Sequence, residues 1–269
     1  MEWETCFWPL ILGTATSPWG GSRRGRILFE ARLATDATKT SDEYGVEIKG
    51  MLDLFGARVE EIRDCIVASV VPPVFNSVRN GIVKLTGKEP MVVGPGIKTG
   101  INILLEDPGA TGADLIAAAV AAVDAYPTPL TVVDMGTATT IAVIDDGNAF
   151  LGGAVLPGLR ISAEALSSRA SLLPGIQLER PRRAIGKNNV ECMQSGLMFG
   201  AAAMVDGLID RMEAELGQPT TVVATGEVAR FVVPLCRHEI ALERDLQLKG
   251  LDLLYRKNRP RKEAAPDPR

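Results

Sequence analysis

The sequence predicts an α/β protein made of two related domains with a cleft between them. Two observations carry this prediction. Strand-like apolar runs alternate with helix-like segments, and the alternation occurs twice along 269 residues. The stretch YPTP (Tyr126 to Pro129) interrupts the pattern near the middle of the chain. We therefore expect a first domain over residues 1–126, a second over 127–258 and a flexible tail over 259–269.

The first half contains three predicted strands and three predicted helices. RILFEARLAT alternates like a strand, DCIVASVVPP is an apolar run stopped by two prolines, and PMVVG is a short strand. Between them, SDEYGVEIKGMLDLFG has helical spacing with Ser41 as its cap, and NSVRNGIVKLTG is a helix ended by Gly87. GADLIAAAVAAVDAY is an alanine-rich helix that completes this half.

The second half repeats the order of strands followed by helices. The segment from Pro129 to Gly158 predicts two or three strands joined by tight glycine turns. SAEALSSRAS is a helix, and NNVECMQSGLMFGAAAMVDGLIDRMEAELG is one long helix or a pair. TTVVATGEVARFVVPLC is a strand that passes through a glycine turn into a helix.

Composition excludes several classes of protein. A net charge of -4 offers no concentrated basic face, so nucleic acid is not an expected partner. The four cysteines are widely spaced and form no CxxC pair, a pattern typical of reduced intracellular protein. The acidic start MEWETCFWPLIL does not resemble a signal peptide, and we expect no membrane span. The predicted location is the cytoplasm.

The stretch VVDMGTATTIAVID is the strongest candidate for a phosphate-binding loop. Gly136 allows the backbone to approach an anion, and the hydroxyls of Thr137, Thr139 and Thr140 can donate to phosphate oxygens. Asp134 would hold a cation or a water, because a carboxylate and a phosphate repel each other. A plain hairpin with surface threonines is the alternative.

Three further segments contain polar residues beside glycines. Gly226, in VVATG, follows a strand and could face a nucleotide. Asp114, in GATGADL, opens a helix, where it could act as a general base in phosphoryl transfer or simply cap the helix. The segment IGKNNVECMQSG could be a polar site or a capped, tightly packed helix start. No spacing typical of a transition-metal site is present in the sequence.

Taken together, the order of these motifs resembles the type III pantothenate kinases. The motifs are DMGTATT, GGAVLPGLRISAEAL, IGKN followed by ECMQSG, VVATG and LQLKGLDLLYRKN, and TDATKTSDEYGVEI and GADL fit the same family. The resemblance implies a duplicated actin-like fold of the RNase H-like, sugar-kinase superfamily. It further implies transfer of the ATP γ-phosphate to pantothenate in coenzyme A synthesis, a requirement for Mg²⁺ and a monovalent cation (K⁺ or NH₄⁺), and a homodimer.

The resemblance also implies roles for individual residues. Asp114 matches the catalytic base, and Asp134 matches the ligand of the monovalent cation. Contacts to pantothenate are implied for Gly112, Ala113 and Asn189. The ATP and phosphate contacts would be made by Gly13, Gly136, Thr137, Thr139 and Gly226.

The chain departs from the family at several chemistry-bearing positions. The family's first phosphate loop, Asp-x-Gly-Asn-Thr, corresponds to ILGTA, so that Ile11 replaces the aspartate expected to organise Mg²⁺. Within and after that loop, Thr14 and Ala15 replace Asn and Thr, and Pro18 disturbs the following strand. The other departures are Leu105 for Tyr, Leu115 for the substrate-binding Arg, Asn189 for Thr and Glu227 for Gly.

These departures leave four hypotheses. The leading one is a degenerate kinase subunit that is inactive alone and supports an active paralogue in a heterodimer. The second is a self-sufficient kinase with a rebuilt phosphate loop, in which Asp114 and the DMGTATT loop still function. The third is a non-catalytic regulator that binds a metabolite of the pathway. The fourth is a damaged or misassigned start of the reading frame, compatible with the unusual run MEWETCFWPLIL.

Overall fold

The computed structural model describes residues 6–23, 26–107, 109 and 111–259 and contains two β-sheets with helices packed on them. The tail predicted over residues 259–269 lies, from residue 260 onward, outside the described residues. The sheets have five and six strands, and both mix parallel with antiparallel neighbours. The predicted α/β class is therefore confirmed.

The first sheet has the strand order β3-β2-β1-β4-β5. Its strands are β1 (Cys6–Leu12), β2 (Thr16–Arg23), β3 (Arg26–Ala34), β4 (Ile62–Ser69) and β5 (Met91–Val92). Two helices, α1 (Ser41–Leu54) and α2 (Pro72–Thr86), pack together in this half.

Two helix starts differ from the sequence prediction. Thr40, not Ser41, is the N-cap of α1: the backbone N–H of Glu43 donates to its side chain, while the Glu43 carboxylate accepts from the Thr40 N–H. Helix α2 begins at Pro72. Proline fits this position because the N–H that it lacks would have no hydrogen-bond partner in the first turn of a helix. The two prolines therefore open a helix as well as ending a strand.

The second sheet has the strand order β11-β10-β7-β8-β9-β6. Its strands are β6 (Asn102–Ile103), β7 (Leu130–Met135), β8 (Ala138–Ile144), β9 (Ala149–Pro157), β10 (Thr221–Thr225) and β11 (Ile240–Leu242). The helices of this half are α4 (Leu159–Arg169), α5 (Asn189–Leu216) and the short α6 (Ala229–Val232). The long segment predicted as one helix or a pair is thus a single helix.

The two sheets repeat one topology. In each, three antiparallel strands (β1 to β3, and β7 to β9) continue into two parallel strands on the far side of the first one. β1 pairs in parallel with β4 and β4 with β5, just as β7 pairs with β10 and β10 with β11. β1 therefore corresponds to β7, and the β1–β2 turn to the β7–β8 turn.

Two helices, α3 (Ala113–Ala125) and α7 (Leu246–Asn258), pack against each other and join the two halves. Gly250 makes this approach possible, because a Cβ there would lie 1.8 Å from the Ala117 carbonyl oxygen. Leu251 and Leu254 of α7 are fully buried in the same cluster as Ile66 of β4. The last helix in sequence therefore packs on the first sheet.

Helix α5 is one helix, among the described residues, that is long and apolar enough to cross a membrane. It has 28 residues, and one 18-residue window has a mean hydropathy of 1.3, which is enough by length and composition alone to cross a membrane. A core helix of a water-soluble protein passes the same test, and Met198, Ala202 and Ile209 of α5 are buried in the cluster beneath the second sheet. The apolar stretch is used for packing in this fold.

Candidate functional site

A cleft of about 380 Å³ lies between the two sheets, where the β1–β2 and β7–β8 turns face each other. The first sheet and its flanking segments contribute Ile11, Gly13, Thr14, Ala15, Glu30, Arg32 and Val70. The second half contributes Gly136, Thr137, Ala138, Thr140, Arg160, Gly226, Glu227, Arg244 and Gln247 among others. Asp114, at the start of α3, and Asp134, at the end of β7, also line it.

The β7–β8 turn presents the residues predicted for phosphate contact, with one exception. Gly136 and Thr137 line the cleft, as does Thr140 on β8. Thr139 lies in a separate, mainly apolar pocket with Met135 and Leu156. Successive side chains of a strand point to opposite faces, so Thr139 and Thr140 cannot both face the cleft.

Two carboxylates share this cleft. Burial and, after it, the negative charge of Asp114 raise the pKa of Asp134 to about 7, although the Gln247 hydrogen bond and the positive charge of Arg32 act to lower it. Burial likewise raises the pKa of Asp114, although the Leu115 backbone N–H donates to its Oδ1 over 2.9 Å. A cation between these groups would favour the charged form of both.

Helix α7 orients Asp134. The Nε2 of Gln247 donates to Asp134 Oδ2 over 2.5 Å, across 113 residues of sequence. This contact fixes the orientation of the side chain through Oδ2. No hydrogen bond to Oδ1 is seen among the described residues, so the carboxylate keeps one oxygen for a cation. Gln247 belongs to the motif LQLKG, so the sequence contained the residue but not its role.

Helix α3 places Asp114 at its first turn. Gly112 is the N-cap, so Asp114 does not fill the capping position that was its alternative role. A Cβ at Gly112 would lie 2.4 Å from Asp114 Oδ1, so only glycine leaves room for this carboxylate position. Gly112 and Ala113 thus lie immediately beside the cleft without lining it.

The β10–α6 turn forms another wall. Gly226 has φ +98, and a Cβ there would lie about 2.5 Å from the Met135 backbone, so glycine is required. The next residue, Glu227, extends into the cleft and pairs with Arg160 at 2.6 Å. Its negative charge is therefore partly compensated by a cation that also lines the cleft.

Asn189 lies elsewhere. It is the first residue of α5, exposed, and its Nδ2 donates to the Leu172 carbonyl over 2.8 Å. It does not line the cleft of its own subunit. A contact between Asn189 and substrate therefore depends on a second subunit and stays a prediction.

Sequence reasoning missed several residues of the cleft. Arg32 on β3, Arg160 at the start of α4 and Arg244 before α7 give it three cations suited to anionic ligands. The buried Oγ1 of Thr140 has no hydrogen-bond partner among the described residues. Only the position of Thr140 within DMGTATT signalled a role in advance, because the arginines come from segments far apart in sequence.

The cleft suits a hydrated divalent cation better than a fully protein-bound one. Among the described residues, no group of three His, Cys, Asp or Glu side chains could hold a metal. Mg²⁺, however, commonly binds through one or two carboxylates while waters and phosphates supply its other ligands. The paired carboxylates of Asp114 and Asp134, together with the unpartnered hydroxyl of Thr140, fit that mode.

Comparisons with solved structures identify the fold. The chain aligns with (R)-2-hydroxyglutaryl-CoA dehydratase component A from Acidaminococcus fermentans over 92% of its length and 95% of the other chain, with a TM-score of 0.55 and 16% identity. It aligns with the ethanolamine utilization protein EutJ from Carboxydothermus hydrogenoformans over 92% and 89%, with a TM-score of 0.53 and 16% identity. The chain has the duplicated actin-like fold, and the cleft lies between its two repeats.

Comparisons at the level of sequence identify the family. A family model described as type III pantothenate kinase matches residues 13–211. The chain is 41% identical over 249 residues to a type III pantothenate kinase from Bacillus cytotoxicus, covering 93% of this chain and 95% of that protein. The chain therefore belongs to the type III pantothenate kinase family, whose members act in coenzyme A biosynthesis.

Proposed function

We propose that this cleft binds ATP and pantothenate and transfers the γ-phosphoryl group of ATP to the pantothenate hydroxyl in the cytoplasm. The observation that supports the proposal best is Asp114. It is a largely buried carboxylate at the start of α3, it lines the cleft, and Asp134 lies close enough to interact with it. Phosphoryl transfer needs a base that is aimed at the attacking hydroxyl and protected from bulk water.

In this proposal Asp114 accepts the proton of the pantothenate hydroxyl. Its pKa is raised by burial, which makes the carboxylate a stronger base than an exposed aspartate. The backbone N–H groups of Leu115 and of Asp114 itself donate to this carboxylate and hold it at the start of α3. Gly112 and Ala113, just before it, supply backbone contacts that orient the substrate.

The remaining residues of the cleft bind the nucleotide and its charge. Gly136 allows a phosphate to approach the β7–β8 turn, and the Thr137 hydroxyl donates to it. Arg32 and Arg244 complement the phosphates, and Gly226 gives the adenosine access to the wall of the cleft. Mg²⁺, when bound, would neutralise charge on the phosphates. Asp134 and the Thr140 hydroxyl are the residues suited to hold a cation, including the monovalent one.

A second candidate function rests on Ile11. This residue is 2% exposed and lines the cleft in the repeat position that Asp134 occupies in the second half. With an apolar side chain there, and with Leu115 in place of an arginine, one subunit is poorly equipped to catalyse alone. The chain would then support an active paralogue in a heterodimer, as opposed to a self-sufficient homodimer.

One assay compares these functions. Purified chain is tested for pantothenate phosphorylation with ATP and Mg²⁺, alone and mixed with a paralogue that has an intact Asp-x-Gly-Asn-Thr loop. Turnover alone that Asp114→Asn abolishes supports a self-sufficient kinase. Turnover above that of the paralogue only in the mixture supports the heterodimer. Absence of any contribution in both formats contradicts the proposed function.

A further inference from the structure

Strands β1 and β2 contain prolines where a sheet does not accommodate them. Pro9 lies in β1, between β2 and β4, and Pro18 lies in β2, between β3 and β1. A proline has no N–H, so in an interior strand it leaves a carbonyl of a neighbouring strand without its donor. Prolines are therefore confined to edge strands and bulges in ordinary sheets. Here two adjacent interior strands each contain one.

The same strands bury two indole groups without partners. Trp8 and Trp19 are each 2% exposed, and neither Nε1–H has a hydrogen-bond partner among the described residues. Buried tryptophans usually satisfy this donor. An unsatisfied buried donor costs about 1–3 kcal/mol. The misfits are thus concentrated in one short segment, whereas β7 and β8 contain no proline or tryptophan.

The duplication shows what this segment lacks. The residue after β7 is Gly136 and the residue after the equivalent β1 is Gly13, so the two turns align. Two positions before each glycine stand Asp134 and Ile11, and both line the cleft. One repeat therefore has an Asp-x-Gly turn, and the other has Ile-x-Gly.

We infer that the nucleotide sequence encoding residues 8–20, when read in the frame that begins one base upstream of the present one, encodes the segment for which this sheet was selected. In that frame each codon takes the last base of the preceding codon and the first two bases of its own. Tryptophan has the single codon TGG and phenylalanine ends in T or C. Position 8 must then be leucine, because Phe7 precedes Trp8, and position 9 must be alanine.

The shifted frame removes the second pair of misfits as well. Position 19 becomes leucine, methionine or valine, because its codon ends in the TG of Trp19. Position 18 becomes serine, threonine or alanine, with proline only if the codon of Ser17 ends in C. Apart from that proline, each of these replacements is suited to a buried strand or supplies an N–H to the ladder.

The shifted frame also restores the missing turn. The codon at position 11 becomes aspartate if the Leu10 codon ends in G, and position 13 stays glycine if the Leu12 codon ends in G. Position 20 stays glycine for any codon, because Trp19 ends in G. Both glycines are required by the fold: a Cβ at Gly13 would lie 2.5 Å from the Thr16 carbonyl oxygen, and one at Gly20 would lie 2.4 Å from that of Phe29.

The shift therefore keeps Gly20, keeps Gly13 when the Leu12 codon ends in G, and replaces both tryptophans and Pro9. It creates an Asp-x-Gly turn opposite the one that contains Asp134, so that both repeats present a carboxylate to the cleft. The inference stands on the sheet geometry and the genetic code and is independent of which molecule the cleft phosphorylates. We infer that the two frames rejoin between Gly20 and Arg26, because the strand pattern of β3 from Arg26 onward fits an ordinary strand.

The first test is to determine the nucleotide sequence of this segment. We expect the codons of Leu10 and Leu12 both to end in G. Any other base at either place gives a residue other than aspartate at position 11 or other than glycine at position 13, and overturns the inference. This result does not depend on any activity, so it separates the failure of this inference from the failure of the proposed function.

The second test uses the full chain with two sets of substitutions. The first set combines Pro9→Ala and Pro18→Ala, and the second adds Ile11→Asp. We expect the first set to raise the melting temperature by several degrees, because it restores two ladder donors and leaves the packing of the buried Trp8 and Trp19 unchanged. Added Mg²⁺ and ATP should raise the melting temperature of the second set by more than that of the first set. A first set that melts below the parent chain contradicts the inference.

Discussion

Asp134 is expected to destabilise the protein at neutral pH, and the effect has a defined sign. Its pKa is raised from 3.8 to about 7 by burial and by Asp114. The folded state therefore holds a proton that the unfolded state has released between these two values. Stability falls as the pH rises from about 4 to about 7 and then levels off. Asp134→Asn removes this penalty, because the amide carries no charge at any of these pH values.

The size of the effect follows from the same shift. A shift of about 3 units, from 3.8 to about 7, corresponds at 1.36 kcal/mol per unit to about 4 kcal/mol. Water and cations in the cleft offset part of this cost, so we expect Asp134→Asn to raise the free energy of unfolding by about 2–4 kcal/mol at pH 8. The asparagine oxygen can still accept the Gln247 Nε2–H, so the geometry is preserved.

Denaturant unfolding between pH 4 and pH 8 measures this prediction. The matched control is Asp124→Asn, at an exposed position near the end of α3, which should change stability little at any pH. The gain from Asp134→Asn should shrink toward zero near pH 4. The reasoning is refuted if the variant is less stable than the parent at pH 8, or if its gain is the same at pH 4 and pH 8.

Three further outcomes are expected. Asp114→Asn should lower kcat for pantothenate phosphorylation about 10²- to 10⁴-fold without lowering the melting temperature, measured by coupled assay and thermal unfolding. Gly250→Ala should lower the free energy of unfolding by about 1–3 kcal/mol or more, because its Cβ meets the Ala117 carbonyl. Gly50→Ala, where a Cβ meets open space on the exposed face of α1, should raise the free energy of unfolding by about 0.5–1 kcal/mol. Equal effects of the two substitutions would contradict the packing argument. Glu227→Gln should lower the KM for ATP about fivefold, equivalent to ~1 kcal/mol, and an unchanged KM would show that Arg160 already cancels this charge.

Local sequence patterns predicted most of the elements that surround the cleft. Alternation with period two marked β3, apolar runs marked β4 and β7, and the motif DMGTATT placed Asp134 and Gly136 at a strand end. Such features are set by neighbours in sequence, so they survive without knowledge of the fold. The two earliest strands escaped prediction because their prolines and tryptophans contradict the pattern of interior strands.

Long-range packing determined the composition of the site itself. No local signal indicates that Gln247 donates to Asp134, or that α7 packs on the first sheet, because these contacts join residues distant in sequence. The same holds for β6, which leaves the first half of the chain to pair with β9.

The sequence by itself determined the residues that this protein can use: a base candidate in Asp114, a carboxylate and glycine turn at the end of β7, and membership of a kinase family. Only the tertiary structure decided which of them face the same space. The alternation of side chains along β8 places Thr140 in the cleft and Thr139 outside it. The packing of the two repeats brings Asp114 close enough to Asp134 for its charge to raise the pKa of Asp134. Both outcomes depend on burial and distance, which a linear sequence does not specify.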